Sequence, residues 1–148
     1  MVISQSFAKI IGLYGERTGA VHIICRNKPT ADRVVSQMKI IVRTSFSNAP
    51  LHGTRVAKRI LGNEANRAQW LVELKGVTDR MNRMRAVLKE ALIKNGTKGN
   101  WDHVTNQIGM FSYLGLTPEQ AEKMINKHHV YMMKSSRISI SGLKDSNI

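Results

Sequence analysis

Between Ser4 and Gly19 the chain reads SQSFAKIIGLYGERTG, a lysine set among apolar residues, two serines just ahead of it, and Arg17 eight positions beyond it among Gly12, Gly15 and Gly19. A lysine in an apolar setting loses its charge more readily, because burial disfavours the ammonium form, and the neutral amine is a nucleophile towards carbonyls. The hydroxyls of Ser4 and Ser6 and the guanidinium of Arg17 are groups that a phosphate ester takes as donors, the guanidinium through two oxygens at once. Lys9, Ser6 and Arg17 together therefore suit Schiff-base chemistry on a phosphorylated cofactor such as pyridoxal phosphate. On composition alone the ordinary reading of Lys9 and Arg17 as solvated cations stays in force, since both residue types are usually exposed.

These residues need elements to hold them. Ala20 to Cys25 is a short β-branched run that reads as a buried strand, and its neighbours in a sheet are expected outside this sequence. Thr30 is placed to cap a helix whose apolar positions Val34, Val35, Met38, Ile41 and Val42 lead to Arg43. Gly53 to Leu61 reads as a short helix stopped by Gly62 and Asn63. From Ala65 to about Lys94, Trp70, Leu74, Val77, Met81, Met84, Leu88 and Ala91 step by four and three, which predicts one long helix with Arg and Lys on its solvated faces. Beyond the Asn95–Asn100 loop, Gln107 to Leu114 reads as a strand around Met110–Tyr113. A helix follows, opened by the capping box Thr117-Pro-Glu-Gln120, and then two strands over Val130–Met133 and Arg137–Gly142.

The 148 residues suffice for one domain or a little more. With 23 Lys and Arg against 10 Asp and Glu, the formal charge of +13 favours an anionic partner. A nucleic-acid surface is disfavoured, because three Phe, two Trp and three Tyr are not interleaved with the cations as base stacking requires. One cysteine, Cys25, rules out an internal disulfide and fits a reducing compartment. No apolar run reaches the roughly 20 residues of a membrane helix, and no signal or transit segment opens the sequence. The five histidines lack Cys or carboxylate partners at ligand spacing, so no metal site is expected. The eight methionines read as core filling.

The opening segment resembles the cofactor-lysine segment of the aspartate aminotransferase family, homodimeric pyridoxal-phosphate enzymes. The similarity continues through Ser36-Gln-Met38, Arg43 to Asn48 with Pro50, Trp70, Asn106 to Phe111, Gly115 to Gln120 and Arg137-Ile-Ser to Gly142. It covers essentially the whole chain but only the later part of the family's longer one. The resemblance implies an α/β fold class: the C-terminal part of a pyridoxal-phosphate-dependent aminotransferase fold. Residues 1–64 would end the large domain, 65–96 form the long linking helix, and 97–148 a small α+β domain incomplete at its C-terminus.

What the family does implies roles for single residues. Lys9 would hold the cofactor and move the substrate's proton, with Ser6 and Arg17 as phosphate ligands. Arg43 would reach across the dimer to the side-chain carboxylate of a dicarboxylic substrate, and Arg137 would clamp the alpha-carboxylate. Two planar guanidinium forks for two carboxylates account for dicarboxylate selection, because a neutral amino acid leaves one fork unpaired. Ile10, where the family usually has Asn, and Ala49, where it has the first of two prolines, depart from the pattern without touching chemistry.

The implied reaction is transamination between aspartate and 2-oxoglutarate, by a fragment of the full enzyme. The groups that bind the pyridine ring precede the lysine in the family, so the chain alone is expected to be inactive. A mitochondrial setting, with the cytoplasm as the alternative, is the reading of the basic balance and of Gly15-Glu-Arg17. A truncated paralogue that binds an anion or a partner subunit without catalysis is the competing hypothesis.

Overall fold

The computed structural model describes residues 1–148, and the chain divides into two compact units, Met1–Val72 and Glu73–Ile148. The first unit opens with strand β1 (Val2–Ser6) and a single helical turn, α1 (Phe7–Ile10). Strand β2 (Gly19–Ile23) returns antiparallel to β1, Ser4 opposite Val21 and Ser6 opposite Gly19. The strand at Ala20–Cys25 is thus present, two residues shorter at its end, but it is not buried, its residues being exposed or half-buried, and it is not unpartnered: Val2–Ser6 satisfies its backbone groups on one edge. That strand went unread because Gln5 and the two serines break its apolar content, and all five of its residues are exposed.

Helix α2 (Lys28–Phe46) follows, capped by Asn27, whose Oδ1 accepts the Thr30 N–H at 3.0 Å. Thr30, expected as the cap, lies inside the first turn. Asn27 takes the cap because Pro29, which has no N–H to satisfy and a φ preset for helix, occupies that turn. None of the residues of α2 is buried, so Val34, Val35, Met38 and Val42 line an open groove of about 630 Å³. Helix α3 (His52–Leu61) buries Gly53 and Ala57 and ends at Gly62. Helix α4 (Glu64–Lys94) is the long helix predicted from the apolar steps, and its residues contribute to both units. No helix is long and apolar enough to cross a membrane.

In the second unit, α4 is followed by a short helix not foreseen, α5 (Asp102–Asn106), whose Val104 is fully buried. Strand β3 (Phe111–Tyr113), shorter than the Gln107–Leu114 run, helix α6 (Pro118–His128) and strand β4 (Arg137–Ser139) follow, and the strand expected over Arg137–Gly142 stops at Ser139, where the chain turns into 3-10 helix over Ile140–Gly142. β3 and β4 pair antiparallel, Tyr113 opposite Arg137 and Phe111 opposite Ser139. Met84, Val104, Ala121 and Ile140, each fully buried, form the core.

The capping box at α6 forms as expected: Thr117 Oγ1 accepts from Gln120 N–H at 3.2 Å, and Gln120 Oε1 accepts from Thr117 N–H at 2.8 Å. Val130–Met133 is not a strand. The N–H of Val130 turns back to the carbonyl of Met124 and that of Met133 to the carbonyl of Arg137, so the run closes the end of α6 and folds into the turn that starts β4.

Candidate functional site

Ser6 caps α1: its Oγ accepts the N–H of Ala8 at 3.2 Å, and the Phe7 N–H donates to the Thr18 carbonyl at 3.0 Å. These bonds fix the turn that carries Lys9 against the segment that carries Arg17. Ser6 and Arg17 line one cavity of about 310 Å³, together with Ala8, Thr18 and Gly19. Arg17 sits at φ +50°, a left-handed backbone that a non-glycine residue adopts only when its surroundings hold it there. One holder is its own guanidinium, whose Nη1 donates to the Tyr14 carbonyl at 3.1 Å. Another is α3, which approaches so closely at Gly53 that a Cβ there would lie 2.1 Å from Thr18 Oγ1 and 2.8 Å from Glu16 Cβ.

The cavity suits a phosphate. The Ser6 hydroxyl uses its oxygen as the cap and keeps its proton to donate, and Arg17 spends one of five N–H donors on Tyr14. Lys9 follows three residues after Ser6. Its side chain is exposed rather than enclosed by apolar neighbours, with Nζ 5.4 Å from the centre of the Tyr14 ring. The apolar setting read from the flanking residues is therefore absent, because α1 is a single turn and turns Lys9 outward while Ala8 faces in.

Arg43 lies in the last turn of α2, exposed, at one end of the apolar groove beside Lys39, Ser47 and Asn48. Arg137 belongs to the second unit. Its guanidinium carbon stands 4.4 Å from the centre of the Phe111 ring, and with Phe111, Tyr131 and Met133 it lines a cavity of about 350 Å³. The ion pairs of the chain all lie elsewhere, so neither Arg43 nor Arg137 is neutralised by a carboxylate of its own. The structure thus gathers Ser6 and Arg17 at one cavity with Lys9 on the adjoining turn. Arg43 is placed in a separate groove of the same unit, and Arg137 in the other unit.

Sequence reasoning passed over two residues. Trp70, read as part of an apolar stripe, donates its indole N–H to the carbonyl of Ile10 at 2.7 Å and so anchors the end of α1. Arg85, read as solvated, is 2% exposed. Its position was a signal in itself, four residues after Met81 and three before Leu88, on the apolar seam rather than off it.

The whole chain, residues 1–148, matches the family described as aminotransferase class I and II. It is 49% identical over 148 residues to the mitochondrial aspartate aminotransferase of Gallus gallus, and 46% identical over 149 residues to that of Schizosaccharomyces pombe. Each match takes in 100% of this chain, and 35% and 34% of the relatives respectively, so the chain spans about a third of their length. A mitochondrial aspartate aminotransferase from Trypanosoma brucei superposes with a TM-score of 0.90 at 38% identity, over 99% of this chain and 39% of that one. An aromatic-amino-acid aminotransferase from Burkholderia pseudomallei, covalently bound to pyridoxal phosphate, does so with a TM-score of 0.92 at 38% identity, over 99% and 37%.

Proposed function

The chain belongs to the class I and II aminotransferases, and from that premise we propose that it is part of a transaminase that exchanges the amino group between aspartate and 2-oxoglutarate. The observation that carries the reading is the cavity shared by Ser6 and Arg17 on the turn next to Lys9. Support for the substrate comes from the identity to aspartate aminotransferases, and from two arginines free of internal carboxylates.

In this reading Ser6 and Arg17 hold the phosphate of pyridoxal phosphate, and Lys9 holds its aldehyde carbon. When bound, that group supplies an electron-withdrawing ring that takes up the charge left on the substrate carbon. The chain's own residues do the rest. Arg137 binds the alpha-carboxylate through two parallel N–H donors, with the Phe111 face fixing the plane of the guanidinium. Arg43 receives the side-chain carboxylate of the substrate held by a second subunit of a homodimer, so that only a dicarboxylate satisfies both arginines. The Lys9 amine, once free and neutral, would take the proton from the alpha carbon and deliver it to the carbon that had been the cofactor's aldehyde carbon, so that the amino group leaves the substrate. A mitochondrial setting is part of the proposal and rests on the names of the relatives.

The test is an absorbance spectrum of the chain mixed with pyridoxal phosphate, then borohydride reduction and peptide mapping. A shifted band and a reduced adduct confined to Lys9 is the expected result. Adducts scattered over many lysines, or none, would refute the assignment of Lys9.

A further inference from the structure

Arg85 is the largest fully buried side chain of the protein, and no carboxylate faces it. Its Nη1 donates to the carbonyl of Val104 at 2.7 Å and to Ser112 Oγ at 3.3 Å, and its Nη2 to the carbonyls of Gly109 at 2.9 Å and Phe111 at 2.7 Å. Burial of the charge pushes its pKa down, a cost that the four neutral acceptors offset only because the planar fork reaches all of them together. An apolar residue would fill such a position without that cost. What the guanidinium adds is geometry, because it ties α5, the Gly109 turn and β3 to a single point on α4. β3 then carries that point to Arg137 twice over, through the Tyr113–Arg137 pairing and through the Phe111 ring on which the Arg137 guanidinium lies.

The same helix fixes the far end of that strand pair. Arg80 donates from Nη1 to the Leu143 carbonyl at 3.1 Å and from Nη2 to the Ser141 carbonyl at 2.9 Å, just beyond β4. Gln107 locks the strand from its other side, its Oε1 accepting from Ser112 Oγ and from Tyr113 N–H, each at 2.8 Å. Ser112 Oγ therefore stands between Gln107 and Arg85, so that the acceptors around the guanidinium are themselves held.

We infer that Arg85 is a positioning residue for Arg137, holding the Phe111 backbone so that the aromatic face presents the Arg137 guanidinium to a carboxylate. The functional half of this inference rests on the reading of Arg137 as the alpha-carboxylate site, and the positional half does not.

The experiment uses the 148-residue chain labelled with ¹⁵N-arginine. With the Arg137 guanidinium carbon 4.4 Å from the centre of the Phe111 ring, the Arg137 Nε–H is expected to carry a ring-current shift; Arg137→Gln identifies the resonance, and Phe111→Leu gives its value without the ring. Arg85→Lys keeps the charge but cannot span both pairs of acceptors. It is expected to move the Arg137 resonance towards its Phe111→Leu value and to weaken L-aspartate binding about tenfold, the size of one lost charge-assisted hydrogen bond. A role in stability alone would lower the unfolding temperature and leave the Arg137 resonance of the folded protein in place, and that result overturns the inference. Should Arg85→Lys not fold, Ser112→Ala removes one acceptor and is expected to produce a smaller shift in the same direction; an unmoved resonance again overturns it. Aspartate affinity equal in the parent chain and in Arg137→Gln would instead refute the carboxylate reading of Arg137, while the resonance still decides whether Arg85 positions it.

Discussion

The indole N–H of Trp70 donates to the carbonyl of Ile10 at 2.7 Å, joining residues 60 positions apart in the sequence. Ile10 directly follows Lys9, so the end of the one-turn helix that carries the amine is fixed by the first third of α4. Trp70→Phe keeps most of the apolar area and removes the donor, leaving a half-buried carbonyl without its partner. The expected cost is about 1 kcal/mol, read as a lower denaturation midpoint with an unchanged denaturant slope. Borohydride trapping with pyridoxal phosphate should become less selective for Lys9; unaltered selectivity would show that α1 needs no such anchor.

Gly53 is where α3 touches the Glu16–Thr18 turn, and the two effects of adding a methyl group there oppose each other. Alanine favours helix over glycine by about 1 kcal/mol. Its Cβ would, however, meet Thr18 Oγ1 at 2.1 Å and Glu16 Cβ at 2.8 Å, and the Thr18 hydroxyl is already held by its bond to the Glu16 carbonyl at 3.1 Å. Overpacking of this kind costs about 1–3 kcal/mol, so the clash wins and the turn must shift. Because Arg17 lies within that turn, Gly53→Ala is expected to weaken inorganic phosphate binding, and Thr18→Ala in the same chain to restore part of it. A Gly53→Ala chain that is more stable and binds phosphate equally well would contradict the packing described.

The capping box of α6 is a purely local device and predicts a local effect. Thr117→Ala removes the acceptor of the Gln120 N–H and should destabilise the second unit by about 1 kcal/mol, whereas Thr117→Ser should be close to neutral. Urea unfolding followed by helix content distinguishes the two, and equal midpoints for both variants would show that the cap contributes nothing.

Features written in neighbouring residues were legible in the sequence. The long helix announced itself through apolar steps of four and three, and the α6 cap through Thr117, Pro118 and Gln120 in order. Features that depend on remote partners were not. The β1 strand is polar and exposed, and only its pairing with β2 makes it a strand. Val130–Met133 has strand composition, yet its N–H groups go to Met124 and Arg137. At the candidate site, the residue types and order of Ser6, Lys9 and Arg17 could be read directly, but the cavity joining Ser6 to Arg17 could not, since it depends on the pairing of β1 with β2 that sets Ser6 opposite Gly19. Nor could the outward turn of Lys9, since flanking apolar residues say nothing about which way one helical turn faces. Arg85 was misread because an arginine on an apolar seam is buried only where carbonyls converge, and these come from 19 to 26 residues further along.

The acid response of the second unit follows from Asp145 and Asp102. Arg83 grips Asp145 with two parallel bonds of 2.7 and 2.8 Å, and the hydrogen bond from Arg83 holds the Asp145 carboxyl below its usual range, its charge adding to the effect and desolvation opposing it. For Asp102 the hydrogen bond from Lys89 does the same, aided by Asn100. A carboxyl with a depressed pKa in the folded chain stabilises it fully above the unfolded value, near 3.9, and that contribution fades as pH falls through the lower folded value. Asp145 and Asp102 are both exposed, so the effect is local and weakened by salt rather than a global unfolding. Amide exchange at Leu143 and Asn147, whose N–H groups donate to Ile140 and Lys144, should therefore quicken below about pH 4 relative to the intrinsic rate. In Asp145→Asn the same amides should exchange faster at neutral pH and lose most of that acid response. Protection that stays constant through the acid range, or that Asp145→Asn leaves untouched, would mean that the Arg83 contact does not hold the end of the chain.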